Sequence, residues 1–256
     1  MYLPEAVDNQ AQRIIRDEPG LLFLAVTGSR AYGIHNEDSD YDLRGIFINT
    51  PEEVFGLNKR ESYTGEGDTI LHSLRKFTYL AKNANPNILE LLYLPRDCII
   101  YIHPLFDHYI ENKEIFLSTK VKHTYSGYAM AQLKRCKNKT THGTLRQKYL
   151  AGSVKDPYDS KFAGHTCRLM INGNELLEKG TLTVRMQNDD LTFIKNIRNG
   201  LGFLHAEEFY EYVYALDKDL EEVYENSILP HNPDLTKINK LLIKIHKEFY
   251  DTNICT

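Results

Sequence analysis

The chain has 256 residues, 42% hydrophobic and 26% charged, enough for two modest domains and typical of a folding, globular protein. Its net charge of -4 argues against unselective coating of nucleic acid, because such binding comes from Lys and Arg neutralising phosphates. The apolar runs 21–26 and 238–245 are too short or too charged to span a bilayer, and the opening MYLPEAVDNQ carries acids where a secretory signal is basic and then apolar. An intracellular, cytoplasmic protein without a membrane segment is expected. Cys98, Cys136, Cys167 and Cys255 stand far apart with no CxxC pair, so reduced thiols are expected in place of a zinc ribbon or disulfide framework.

In chain order, residues 4–17 space Ala6, Val7, Ile14 and Ile15 as on a helix, with Pro19-Gly20 as a stop. Residues 21–27 (LLFLAVT) read as a buried strand between two glycines. A short helical turn follows Gly28-Ser29, and 41–48 (YDLRGIFI) reads as a second strand. The stretch 51–67 is loop-like, and 68–72 (DTILH) suits a third strand. Residues 73–82 place Leu74, Phe77, Leu80 and Ala81 on one helical face, with Ser73 able to cap the start. A short helix over 88–92 and a strand over 98–102 complete this half. Beyond residue 104 the pattern turns helical: 121–135, 158–179, 190–198, 206–225 and 235–250. With a boundary between 103 and 115, the expected division is 1–110 and 111–256. The fold class is α+β: a mixed sheet with flanking helices, then an all-helical C-terminal domain.

The segment that carries chemistry is Gly28-Ser29, ten intervening residues, then Asp40-Tyr41-Asp42 at the mouth of a strand. Residues two apart on a strand share a face, so the Asp40 and Asp42 carboxylates converge and repel unless a cation lies between them. Mg2+ takes one or two such carboxylates and completes its shell with water and phosphate. Gly28 and Ser29, opening a helix, offer backbone N–H groups and a hydroxyl to a triphosphate. The ordinary alternative is a pair of loop carboxylates capping a turn. Two metals about 4 Å apart call for a third carboxylate from a neighbouring strand. Asp68 is the candidate, with Glu66 the fallback.

The string GSRAYGIHNEDSDYDLRGIFI resembles the signature of the DNA polymerase beta-like nucleotidyltransferase superfamily, and more narrowly the YcgL/RlaP-type predicted nucleotidyltransferases, one branch of which is associated with RNA repair. The resemblance continues through LRKF (74–77), NPNILELL (85–92), YDSKFAGHTCRLM (158–170), a GTLTV strand at 180–184 and an IRNG turn, and so covers most of the chain. It implies a nucleotidyltransferase fold for residues 1–110 and a helical substrate-binding domain for 111–256. By position it implies metal binding by Asp40 and Asp42, a third acid at Asp68, and triphosphate contact by Gly28 and Ser29. Arg30 and Arg44 match basic positions of the subgroup, where guanidinium groups neutralise phosphate. Arg44 reads almost as well as a strand arginine paired with an acid, and Tyr32 is expected to fill the inner face of the short helix.

Lys161, His165 and Arg168 are spaced by four and three, so they share a helical face suited to a triphosphate or an RNA backbone, or else solvated and paired with acids such as Asp159. From Lys120 to Lys155 the chain carries nine Lys and Arg residues and no Asp or Glu, with Tyr125, Tyr128 and Tyr149 interleaved. Such a segment suits a single-stranded RNA end, where cations meet phosphates and rings stack on bases. The expected reaction is attack of an acceptor hydroxyl on the alpha-phosphorus of an NTP, with ATP the expected substrate, Mg2+ or Mn2+ as cofactor and pyrophosphate leaving. An RNA end is the leading acceptor. A protein side chain (AMPylation) is the enzymatic alternative, and a non-catalytic nucleotide- or RNA-binding module is the alternative of another class. Pairing with a partner protein, as nucleotidyltransferase antitoxins do, is not readable from one chain.

Overall fold

The computed structural model describes residues 2–57, 59–141, 158–203 and 205–253. They form two compact units, one of residues 1–116 with 233–256 and one of residues 117–232. Among the described residues no helix is long and apolar enough to cross a membrane.

The first unit is built on a five-stranded mixed sheet in the order β3-β4-β2-β1-β5, with β1 Leu21–Thr27, β2 Asp42–Phe47, β3 Ser62–Gly65, β4 Thr69–Ser73 and β5 Ile99–Ile102. β1 is buried along its whole length, as an uninterrupted apolar run must be when both sheet faces are covered. It runs antiparallel to β2 and β5, while β2 and β4 are parallel and β3 and β4 form a hairpin. α1 (Glu5–Asp17) lays Val7, Ala11, Ile14 and Ile15 against Leu24, Val26, Leu43, Phe47 and Leu71 on one face.

The opposite face carries an aromatic cluster. Phe23 of β1 meets Phe106 of α6 (Pro104–Glu111) at 4.9 Å between ring centroids, and Phe106 stacks on Tyr109 at 5.5 Å. Phe77 of α4 (Leu74–Ala81) packs edge-on to both, and Thr78 shares a 2.8 Å hydrogen bond with the Tyr109 hydroxyl. Ser73 caps α4 by accepting from the Lys76 N–H, as its sequence position suggested. The remaining helices of this half are short: α2 (Gly28–Tyr32), α3 (Pro51–Phe55) and α5 (Pro86–Leu89).

The second unit is helical: α7 (Lys120–Thr141), α8 (Ser160–Lys179), α9 (Asn188–Arg198) and α10 (Ala206–Glu225). α8 is the central element, with α7, α9 and α10 all packed on it. The segment 111–256 is therefore not one compact body. α11 (Leu235–Asn253) returns to the sheet unit, where it packs on α6 and α4 and its Tyr250 hydroxyl donates to the Asn49 carbonyl at 2.7 Å.

Two expected elements differ. The span 51–67, read as loop, contains α3 and the edge strand β3. The expected strand at 180–184 is extended chain without a strand partner: Leu182, Val184 and Met186 alternate into the core, while the Glu175 carboxylate takes the Thr183 N–H and hydroxyl, each at 2.6 Å.

Candidate active site

Three strand ends form the site. The antiparallel register sets Thr27 opposite Asp42, and the parallel register sets Leu43 opposite Thr69, so one step earlier Asp42 lies beside Asp68. Neighbouring strands are about 4.8 Å apart, which puts the two acids side by side. The Asp68 carbonyl accepts from the Leu43 N–H at 3.1 Å, extending the ladder, and Thr27 donates its hydroxyl to the Asp42 carbonyl at 3.2 Å.

Electrostatics agree with this juxtaposition. Burial, then the hydrogen bond and charge of Asp68, push the Asp42 carboxyl up to about 6; Arg44 opposes the rise and Asp40 adds to it. Asp40 is exposed and precedes β2, so the argument from alternation on a strand does not extend to it. Its charge ranks last among the groups acting on Asp42. Among the described residues no group of three or more His, Cys, Asp and Glu side chains is arranged to hold a metal ion. The structure thus assembles the pair Asp42 and Asp68, with Asp40 adjoining.

Gly28 is where β1 turns into α2, at φ +65°. A Cβ at this position would fall inside the Asp42 carboxylate, so a glycine is needed both for the backbone conformation and for the space. Ser29 follows in the first turn of α2. This helix has only five residues, so free N–H groups, more than an aligned dipole, are what it can offer an anion.

The neighbouring side chains are already engaged. Arg30 donates to the Ser39 carbonyl at 2.6 Å and lies 3.7 Å over the Tyr41 ring, so it fixes the loop that carries Asp40. Arg44 bonds the Asp68 carbonyl and carboxylate, the ordinary pairing weighed for it from sequence. Glu66 turns away to Arg13 of α1 at 2.9 Å. Tyr32 is buried and donates to the Glu90 carboxylate at 2.9 Å, which joins the GSRAY and NPNILELL segments. The buried Glu90 was missed from sequence, where its place inside NPNILELL was the available signal.

Lys161, His165 and Arg168 belong to the helical unit and do not form one solvated stripe. Lys161 is exposed, His165 half-buried and Arg168 only 1% exposed, with Arg168 Nη2 3.3 Å from His165 Nδ1. In the basic segment, Lys122 pairs with Glu221, and Lys137 lies 4.3 Å over the Tyr210 ring. Tyr125 is a core residue at 1% exposure and is not available to stack on a base. The side chains of Lys139, Arg146, Lys148, Tyr149 and Lys155 lie outside the described residues.

Residues 3–244 match the family described as the RNA repair pathway DNA polymerase beta family, RlaP. The chain belongs to that family. It is accordingly a nucleotidyltransferase-like protein of an RNA repair pathway family, as the motifs around Gly28 and Asp42 led us to expect. It is also similar to the uncharacterized protein YcgL of Bacillus subtilis (strain 168), with 33% identity over 86 residues. That match spans about a third of each protein, 32% of this chain and 32% of YcgL. A solved nucleotidyltransferase-like protein from Exiguobacterium sibiricum 255-15 is 13% identical with a TM-score of 0.32, over 95% of this chain and 80% of that one.

Proposed function

We propose that the protein transfers a nucleotide from an NTP, with ATP the expected donor, to a hydroxyl at an RNA end, using Mg2+ or Mn2+ in a cytoplasmic setting. One observation carries this reading: the Asp42 and Asp68 carboxylates meet at adjacent strand ends beside Gly28. Their donor set suits a hard divalent ion. All ligand atoms are carboxylate oxygens, and a cation would relieve the crowding that raises the Asp42 carboxyl. Asp42 and Asp68, with Asp40 joining from the adjacent loop, would hold two such ions. Bound there, they would supply Lewis-acid polarisation of the phosphates and acidify the acceptor hydroxyl.

The remaining tasks fall to the protein. The backbone N–H groups after Gly28 and the Ser29 hydroxyl bind the triphosphate and orient its alpha-phosphorus. Arg30 keeps the Asp40 loop in place through Ser39 and Tyr41. Asp68, more exposed than Asp42, accepts the proton of the acceptor hydroxyl as it attacks in line and pyrophosphate departs. The exposed cations Lys134, Arg135 and Lys161 support an RNA acceptor.

The test is incubation with labelled NTPs, Mg2+ or Mn2+ and RNAs of defined ends. Extended RNA is expected, and its loss in Asp42→Asn. Label on the protein would replace the RNA acceptor by a protein side chain. Nucleotide binding without transfer under either metal would leave a binding module and overturn the proposal.

A further inference from the structure

On the α1 face of the sheet a cleft of about 350 Å³ runs between α1 and the β3–β4 hairpin, at the small end of the range for ligand clefts. Gln10, Arg13 and Asp17 follow one another at helical spacing and make one wall about 10 Å long. Tyr63 of β3 makes the other. It stands opposite Leu71, which packs in the core with Ala11 and Ile14 of α1, and directly opposed residues share a face, so the tyrosine ring also lies on the α1 side. Leu71 and Ile14 close the bottom.

The Tyr63 ring is 48% exposed, and among the described residues it makes no hydrogen bond and no ring contact. Gly65 gives it room. Two residues on along the same face, a Cβ there would lie 3.0 Å from Tyr63 Cε1 and 3.3 Å from its hydroxyl, so the glycine lets the ring lie along the strand. At the β4 end of the cleft, Gln10 Nε2 donates to the Glu66 carbonyl at 2.7 Å and to Thr69 Oγ1 at 2.9 Å. A carbonyl only accepts, which fixes the orientation of the amide and leaves its oxygen to accept from a ligand. Arg13 spends one nitrogen on Glu66, and its other N–H groups are left to donate.

The charged groups of the walls are already paired: Arg13 with Glu66 at 2.9 Å, Arg60 with Glu18 at 2.6 Å, and Asp17 with Arg16 at 2.7 Å. The lining thus presents no spare charge to a phosphate, a metal ion or a zwitterion. It suits an uncharged, flat group, apolar on its faces and carrying donors and acceptors along its edge. A nucleobase has that form. We propose that the cleft between α1 and the β3–β4 hairpin binds a nucleobase, stacked on Tyr63 with its edge towards Gln10 and Arg13. Thr69 of the cleft directly follows Asp68, so the base sits beside the rim of the sheet that carries the paired acids. It comes either from a free nucleoside or from the RNA acceptor, the second source resting on the reading proposed above.

The test uses the full chain in EDTA, so that no transfer occurs, and reads the fluorescence of 2-aminopurine, which falls when the base stacks on a ring. The probes are the free 2-aminopurine riboside and a trinucleotide RNA that contains it. Saturable quenching is expected, weakened about tenfold or more by Tyr63→Ser and restored by Tyr63→Phe, which keeps the ring. Gly65→Val sets a branched side chain where the ring lies and should weaken quenching as well. Valine suits a strand, so this variant keeps the test open should Tyr63→Ser fail to fold. Tyr79→Ser, which removes an exposed ring of α4, should leave quenching unchanged. Absence of quenching with both probes, or quenching indifferent to Tyr63→Ser or to Gly65→Val, overturns the proposal. Equal affinity for the two probes assigns the cleft to a nucleoside, and tighter binding of the trinucleotide assigns it to an RNA strand. RNA extension without quenching would sink this site alone, and quenching without extension would sink the transfer reading alone.

Discussion

Arg44 grips Asp68 twice, donating to its main-chain carbonyl at 2.5 Å and to its carboxylate Oδ1 at 3.0 Å. Asp68 is thereby held against the Asp42 side of the sheet, while Glu66, two residues earlier in the same hairpin turn, is drawn to Arg13. The two acids offered as a third carboxylate are thus separated by their partners. Asp68→Asn should lower transfer at least about a hundredfold, whereas Glu66→Gln should leave it within about twofold. Single-turnover assays at saturating NTP measure both. A larger loss from Glu66→Gln than from Asp68→Asn would reverse the assignment.

Asp42 carries a pH signature. Its carboxyl is raised from the ordinary value of 3.8 to about 6, so the folded state favours the protonated form and loses stability as pH rises from about 4 to about 6. In EDTA, Asp42→Asn should therefore melt above the parent at pH 7 and level with it at pH 4. With excess Mg2+ at pH 7 the order should reverse, because only the parent gains from the ion. Differential scanning fluorimetry reads all four conditions.

Gly28 and Gly67 share a positive φ, +65° and +61°, but differ in surroundings: one faces the Asp42 carboxylate and the other has nothing within 4 Å. Gly67→Ala should cost about 1 kcal/mol of backbone strain and preserve transfer. Gly28→Ala bears the same strain and also displaces Asp42, so transfer should be abolished and the loss in urea unfolding should be larger. Equal behaviour of the two variants would mean that the close approach at Gly28 has no role.

His165 carries the opposite signature to Asp42. Kept neutral by burial down to about 3 and ordinary at 6.5 when unfolded, it contributes stability in full above 6.5 that is lost as pH falls towards 3. His165→Gln keeps an acceptor for Arg168 and removes the titration, so its melting temperature should fall less steeply than the parent's between pH 6.5 and 4. Asp42 acts in reverse over part of this interval, so each variant is compared with its own parent.

Much of the sheet unit could be read in the sequence, for physical reasons. β1 was bounded correctly because LLFLAVT is buried on both faces and flanked by glycines. β3 escaped because an exposed edge strand, Ser62–Gly65, has no apolar alternation. The strand expected at 180–184 alternates as a strand does, but Glu175 takes the place of a ladder partner. The spacing of Gly28 and Asp42 and the strand after Asp68 point to residues that the structure places side by side. What spacing could not show was the start of β2 at Asp42, which leaves Asp40 in the loop. On α8 the period of three and four correctly placed His165 and Arg168 together, but it carried no information on depth.

The return of Leu235–Asn253 to the sheet unit matters for synthesis on the ribosome. The aromatic layer of α6 and α4 must wait for its cover while the 116 residues of 117–232 are made, roughly 6–23 s at ordinary elongation rates. During that interval the nascent helical bundle can close while the half that bears Asp42 stays unfinished, so premature termination after residue 232 would spare the bundle and cripple the sheet unit.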